Sequence, residues 1–375
     1  MTFSDLLFRL LAAPLLCGLL VGCGAEQTSD LGAWTLQQNG LTLTEDLRVS
    51  ETEAFYFGGI ADVAVRADGQ IAVADYKAND VKVLTPEGPL AHRLGQQGQG
   101  PGEFQRVGVV QWARGDSLFA YDLAASRLTV FAPVPPHPRT RTISVSREDG
   151  FPTQVYVTEP RLVVEISSRV PPSDGTPRYR RVRSLSEDGV PGDTLFTARR
   201  EESVVIRNDG VFQFRPLPFA RESRIVLGPD GRLYARYEDS LRVVAHAWTG
   251  ASTVIANVPA PPVPLTDADR DSSLAEIGNS QMRQAVAKAL PETKPVYTDL
   301  VVADDGRLWV RRPPERPSAD TIVWWILNPE IQTIHEVQLP AEVDLDVVQN
   351  GKAYGTTETE AGAPAVVRYQ IETVS

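Results

Sequence analysis

Seven positions before the glycine of a tight polar turn, the chain repeatedly places a charged residue. Asp62 precedes Gly69, Arg224 precedes Gly231, Asp299 precedes Gly306 and Asp344 precedes Gly351. Two looser copies of the pattern, with turns at 115 and 160, hold Gly108 and Thr153 at the same place. Three carboxylates brought together would suit a hard cation such as calcium, which takes oxygen ligands. The guanidinium would suit a carboxylate or a sugar acid. Asp62, Arg224, Asp299 and Asp344 are therefore the candidate ligand site, and Asp62, Asp299 and Asp344 the candidate metal ligands. The same carboxylates would equally serve as acceptors for backbone N–H groups of a neighbouring element, because buried polar groups must be satisfied.

Other chemistry is less favoured by the residues present. The four histidines, at 92, 137, 246 and 335, make no His-Glu-x-x-His or His-x-His pair. No Gly-x-Ser-x-Gly elbow occurs. Gly98 to Phe104 has the glycines of a phosphate loop, but it lacks the Gly-Lys-Ser/Thr ending, and Pro101 removes an N–H. It reads as a turn between elements. Asp267-Ala268-Asp269-Arg270-Asp271 mimics the start of a calcium loop, yet Ser272 and Gly278 stand where Gly and Glu are required. These acids read as a helix N-terminus. Trp324 and Trp325 are adjacent, so in a strand at most one faces a sugar or peptide groove, and core packing is the expectation. With 48 acidic against 37 basic residues, the net charge of −11 disfavours nucleic acid.

The elements that must position the charged set are short hairpins. Ala61–Val65 and Ile71–Ala74 flank Asp68-Gly69; 225–227 and 233–235 flank Asp230-Gly231; 300–302 and 308–310 flank Asp305-Gly306; 343–347 and 353–354 flank Asn350-Gly351. Asp-Gly and Asn-Gly are the pairs expected in two-residue hairpin turns, where positive φ is required. Weaker copies surround 114–115 and 159–160. A third strand follows each hairpin, and a fourth usually follows that. Three of the five turn-to-turn intervals are 45 or 46 residues, and the other two, 71 and 75, contain insertions. A period of about 45 with four strands per unit predicts a β-propeller. The last unit lacks its fourth strand, and a spare strand lies near Leu41–Val49. The sequence therefore predicts an all-β, six-bladed ring over 34–375, closed by the N-terminal strand completing the last blade, since an open ring would leave exposed edges. One insertion, about 197–222, carries an extra hairpin around Asp209-Gly210. A second, about 257–297, is helical, with Thr266 as cap, Pro291 as terminator and Gly278 splitting two helices.

The apolar run Leu10–Val21 is too short for a membrane span and suits a signal-peptide core. It ends in Leu20-Val21-Gly22-Cys23, which resembles the lipobox of bacterial lipoproteins. That resemblance implies a signal peptide over 1–22, lipidation of Cys23 and a polar tether over 23–33. The only other cysteine, Cys17, would leave with the signal, so no disulfide stabilises the mature chain. Val73-Ala74-Asp75-Tyr76-Lys77-Ala78-Asn79-Asp80-Val81-Lys82-Val83-Leu84 resembles the NHL repeat, with a looser copy from Tyr121-Asp122 to Phe131. The whole layout is similar to the six-bladed, NHL/TolB-like bacterial lipoproteins. This resemblance implies a fold and an extracytoplasmic address in the cell envelope, at the outer membrane or its periplasmic side, and no particular reaction.

Three functions are compatible with these features. A lipid-anchored binding or scaffold propeller, monomeric, would present the ring to a protein, peptide or glycan. A calcium-dependent lactonase-like hydrolase or lyase would use the central channel. An envelope assembly component would work through protein partners.

Overall fold

The computed structural model describes residues 33–373 except 38–39, 114, 134–137, 159–160, 169–177, 209–210 and 238. Six antiparallel sheets form the blades, at 60–94, 107–144, 151–199, 223–258, 299–340 and 344–373. The first strands of neighbouring blades touch one another around the ring, blades 3 and 4 through the Tyr156 hydroxyl on Ile225 O, so they line the centre. The fold is the six-bladed propeller expected. β2, Leu41–Val49, pairs antiparallel with Pro364–Thr373 as the outermost strand of blade 6 and closes the ring. The lipobox-like residues, including Cys23, lie outside the described residues.

Closure is visible in the core. A separate apolar cluster fills each of the six blade interfaces. The second strands of the blades, such as Ile71–Asp75 and Leu162–Ser167, bury both faces, so alternate residues serve opposite neighbours. In blade 5, Trp324 packs toward blade 6 while Trp325 packs toward blade 4. Both tryptophans are buried core, neither lining a groove. Trp325 Nε1 donates to Glu336 at 2.6 Å, and the Arg312 guanidinium stacks on its ring at 4.3 Å.

The turns differ from expectation in one respect. Of the four turns at 69, 231, 306 and 351, Asn350-Gly351 alone has both residues at positive φ, as a two-residue hairpin turn requires. At Gly69, Gly231 and Gly306 only the glycine is left-handed; it closes a three-residue loop by donating three residues back, to Arg66, Gly228 and Ala303 O. The aspartate before each glycine is selected differently: Asp68, Asp230 and Asp305 accept the N–H two residues on.

Two features were not legible. β1, Thr35–Gln37, adds a parallel fifth strand to blade 5 beside Thr333–His335, with Trp34 buried and its Nε1 donating to Asn257 O of blade 4 at 3.0 Å. The two insertions also pack together. The hairpin of Ser203–Asn208 and Val211–Pro216 joins α1, Asp267–Ala275, and α2, Ser280–Ala289, in one apolar cluster around Ile206, Ile277, Met282 and Val286. Thr266 and Asp269 form a capping box, and buried Lys294 ties Asp269 at 2.8 Å to the carbonyl of Pro314 at 2.7 Å. Both insertions follow a fourth strand, so they stand on the loop face of the ring, opposite the tight turns.

Candidate functional site

The NHL-like acids prove to be architecture. Asp75 is fully buried and accepts from the backbone N–H of Gly58, Gly59, Lys77 and Ala78 and from Lys82 Nζ at 2.8 Å. Lys82, also buried, reaches Asp80 at 2.6 Å. Burial alone would raise the Asp75 pKa, but the Lys82 bond and the N–H groups outweigh it and hold the carboxylate below its usual range. Asp122 repeats the device with the N–H groups of Gln105, Arg106, Ala124 and Ala125. Each acid staples the loop entering its blade to the loop after the second strand.

The four sequence-selected residues all start inner strands at the loop-side mouth of the channel. Their roles differ. Asp62 accepts from Val63 N at 3.0 Å and, across the interface, from Val110 N of blade 2 at 2.8 Å. This is the inter-blade role weighed from sequence, yet burial still lifts its pKa to about 7. Asp299 accepts from Leu300 N at 2.8 Å, and burial raises its pKa against the pull of Arg224 and Arg311. Asp344 is exposed and pairs with Arg311 Nη1 at 2.9 Å. Arg224 lies 3.4 Å from Glu222. Asp62, Asp299 and Asp344 do not gather into a group able to hold one ion: among the described residues no set of three or more His, Cys, Asp or Glu does.

Asp346 is the residue that sequence reasoning missed. The inner strand of blade 6 carries a bulge between Leu345 and Val347, which leaves Asp346 without a ladder partner and turns it into the channel. Its Oδ2 is buried and has no hydrogen-bond partner. Burial, then repulsion from Asp62, Asp299 and Asp344, pushes its pKa well above the carboxylate range. A signal existed in the repeats. Five positions before the turn glycine the other copies carry Ala64, Val110, Val155, Val226 and Val301; only blade 6 carries an acid.

On its other side Asp346 lines a cavity of about 250 Å³ that opens toward the turn face. The walls are mainly aliphatic, from Val157, Val226, Leu300, Val301 and Val348, with Asp304 among the turns at the rim. The Gln111 amide crosses the wall, donating to Val157 O at 2.7 Å and accepting from Val157 N at 3.0 Å, and so bridges blades 2 and 3. Gln349 and Asn350 bridge blade 6 to blade 1 in the same way, through Arg66 O and Ala67 O. The channel thus has an acidic loop-side mouth, an acid at its waist and an apolar turn-side half.

No family model and no curated protein sequence matches the chain. Solved structures do match in shape, and they are six-bladed propellers. A Bacteroides fragilis protein assigned as exported aligns with TM-score 0.55 and 10% identity, over 89% of this chain and 96% of its own. A DUF4221 family member from Bacteroides vulgatus aligns at 0.51 and 11%, over 90% and 100%. A protein assigned as a gluconolactonase aligns at only 0.43 and 13%, over 85% and 91%. At these identities the likeness establishes the fold and not the activity.

Proposed function

We propose that this protein is a lipid-anchored, extracytoplasmic binding propeller whose ligand enters the central channel. The observation that carries the reading is the cavity beside Asp346, a half-buried acid that lines it and whose Oδ2 makes no hydrogen bond. An unsatisfied buried acceptor is costly, and a ligand donor would remove that cost. The anchor rests on the Leu20–Cys23 motif and the polar residues after it. Among the described residues no helix is long and apolar enough to cross a membrane, so a lipid would supply attachment.

The calcium-dependent hydrolase reading draws no support from the ligand geometry of Asp62, Asp299 and Asp344. The test of the proposed reading has two arms on the full chain. Expression with labelled palmitate should mark the protein and partition it with membranes, and Cys23→Ala should abolish both. Val301→Trp, which fills the cavity, should abolish binding of any small ligand that raises the melting temperature of the wild type. Retained labelling in the first variant, or retained binding in the second, sinks the corresponding half.

A further inference from the structure

We infer that the channel cavity takes a small primary ammonium with an apolar body, Asp346 serving as its counter-ion; this rests on the channel being the ligand site. Size bounds the ligand first. At about 250 Å³ the space exceeds the ~150 Å³ that encloses a benzene and falls short of the ~300 Å³ lower limit of drug-sized sites. A ring or short alkyl chain with one polar end fits between these limits.

The lining then fixes the chemistry. The lining has two acids, Asp346 and, at the rim, Asp304, and among the described residues no set of three metal-ligating side chains gathers there, whereas calcium needs six or more oxygens. The valine and leucine walls suit a hydrocarbon body. The polar end meets the Asp346 carboxyl, which its surroundings keep protonated in the absence of a ligand; an ammonium binds as that acid releases its proton to solvent, leaving a carboxylate that accepts. The polar end must therefore be cationic. Asp62, Asp299 and Asp344 all act on Asp346 with negative charge, while the nearby guanidiniums are engaged elsewhere, Arg311 with Asp344 and Arg224 beside Glu222. An ammonium supplies three donors and the missing positive charge together. The inner strands of blades 1, 2 and 3 also bulge, nearer the loop-side mouth at Ala61, Gly108 and Thr153, none of them an acid, so among these bulges Asp346 alone presents a carboxyl.

The probe is 2-phenylethylammonium, with 2-phenylethanol as its neutral counterpart and calcium chloride as the metal control, titrated calorimetrically into the full chain in detergent. The wild type should bind the ammonium at least about tenfold more tightly than the alcohol, a step of about 1.4 kcal/mol. Asp346→Asn should bring the two within about threefold, and Val301→Trp should abolish both. Asp346→Leu repeats the measurement if the Asn variant does not fold. Equal affinities in the wild type, a preference that survives both Asp346 substitutions, or binding of calcium but not of the ammonium overturns the inference. An ammonium that binds equally well to Val301→Trp overturns the channel reading as well. A wild type that binds neither organic probe overturns the ligand class alone, and the channel reading is then judged by the Val301→Trp arm described above.

Discussion

Blade 1 holds a buried aspartate and blade 6 a half-buried one, and the two could hardly be treated more differently. Asp75 receives four backbone N–H groups and a buried lysine. Asp346, on a bulge, leaves one oxygen with no partner and faces three other carboxylates. The first has its pKa lowered and the second raised. An acid whose acceptor capacity is filled from within is part of the framework; an acid whose capacity faces a cavity is available to something else.

The contrast is sharpest at Asp75. Asp75→Ala leaves Lys82 with Asp80 alone and four N–H groups unpaired, and should cost about 3–5 kcal/mol in denaturant unfolding, the scale of breaking a buried pair. A loss below about 1 kcal/mol would show that the staple is not structural. Gln111→Leu removes both bonds to Val157 and leaves its N–H and C=O unpaired, for an expected loss of about 2 kcal/mol by the same measurement.

Asp62 lies between the extremes, partnered yet pushed to about 7. Its folded pKa exceeds the unfolded value near 4, so the native state binds more protons between these limits. Stability contributed by this group is therefore greatest at low pH and falls as pH rises from about 4 to 7. Asp62→Asn should flatten that slope by about 1–2 kcal/mol in melts run across the window; an unchanged slope would show that burial does not raise the pKa of Asp62. The smallest effect is expected where half-buried Arg311 meets exposed Asp344, and Arg311→Gln should change stability by less than about 1 kcal/mol.

Much of the fold could be read because propeller blades repeat. The turn glycines at 69, 231, 306 and 351 marked the inner hairpins, and the spare strand at 41–49 marked the closure. Thr266 and Pro291 bounded the helical insertion because caps and terminators act locally. β1 was hidden because three residues without alternation carry no periodic signal, and its pairing with residues 333–335 is parallel and distant. The packing of hairpin on helices was hidden for the same reason of distance. The charged ring was legible by counting back from each glycine, which located Asp62, Arg224, Asp299 and Asp344 correctly on inner strands. Asp346 was missed because the count sampled one position per strand, seven before the turn, and the lone acid at five shows only when all six copies are compared.

The entry of the chain at Trp34 has a mechanical consequence. β1 begins beside the tight turn at 328–332, where Thr35 N donates to Gln332 O, and β2 begins at the same face, with Leu41 opposite Thr373. Tension applied through residue 33, away from the turn face, acts along both strands. It loads the nine residues of β2 against blade 6 in shear, so its ladder bonds resist together instead of peeling one at a time. The strand that shuts the ring is thus also the strand that would bear the load of a tether.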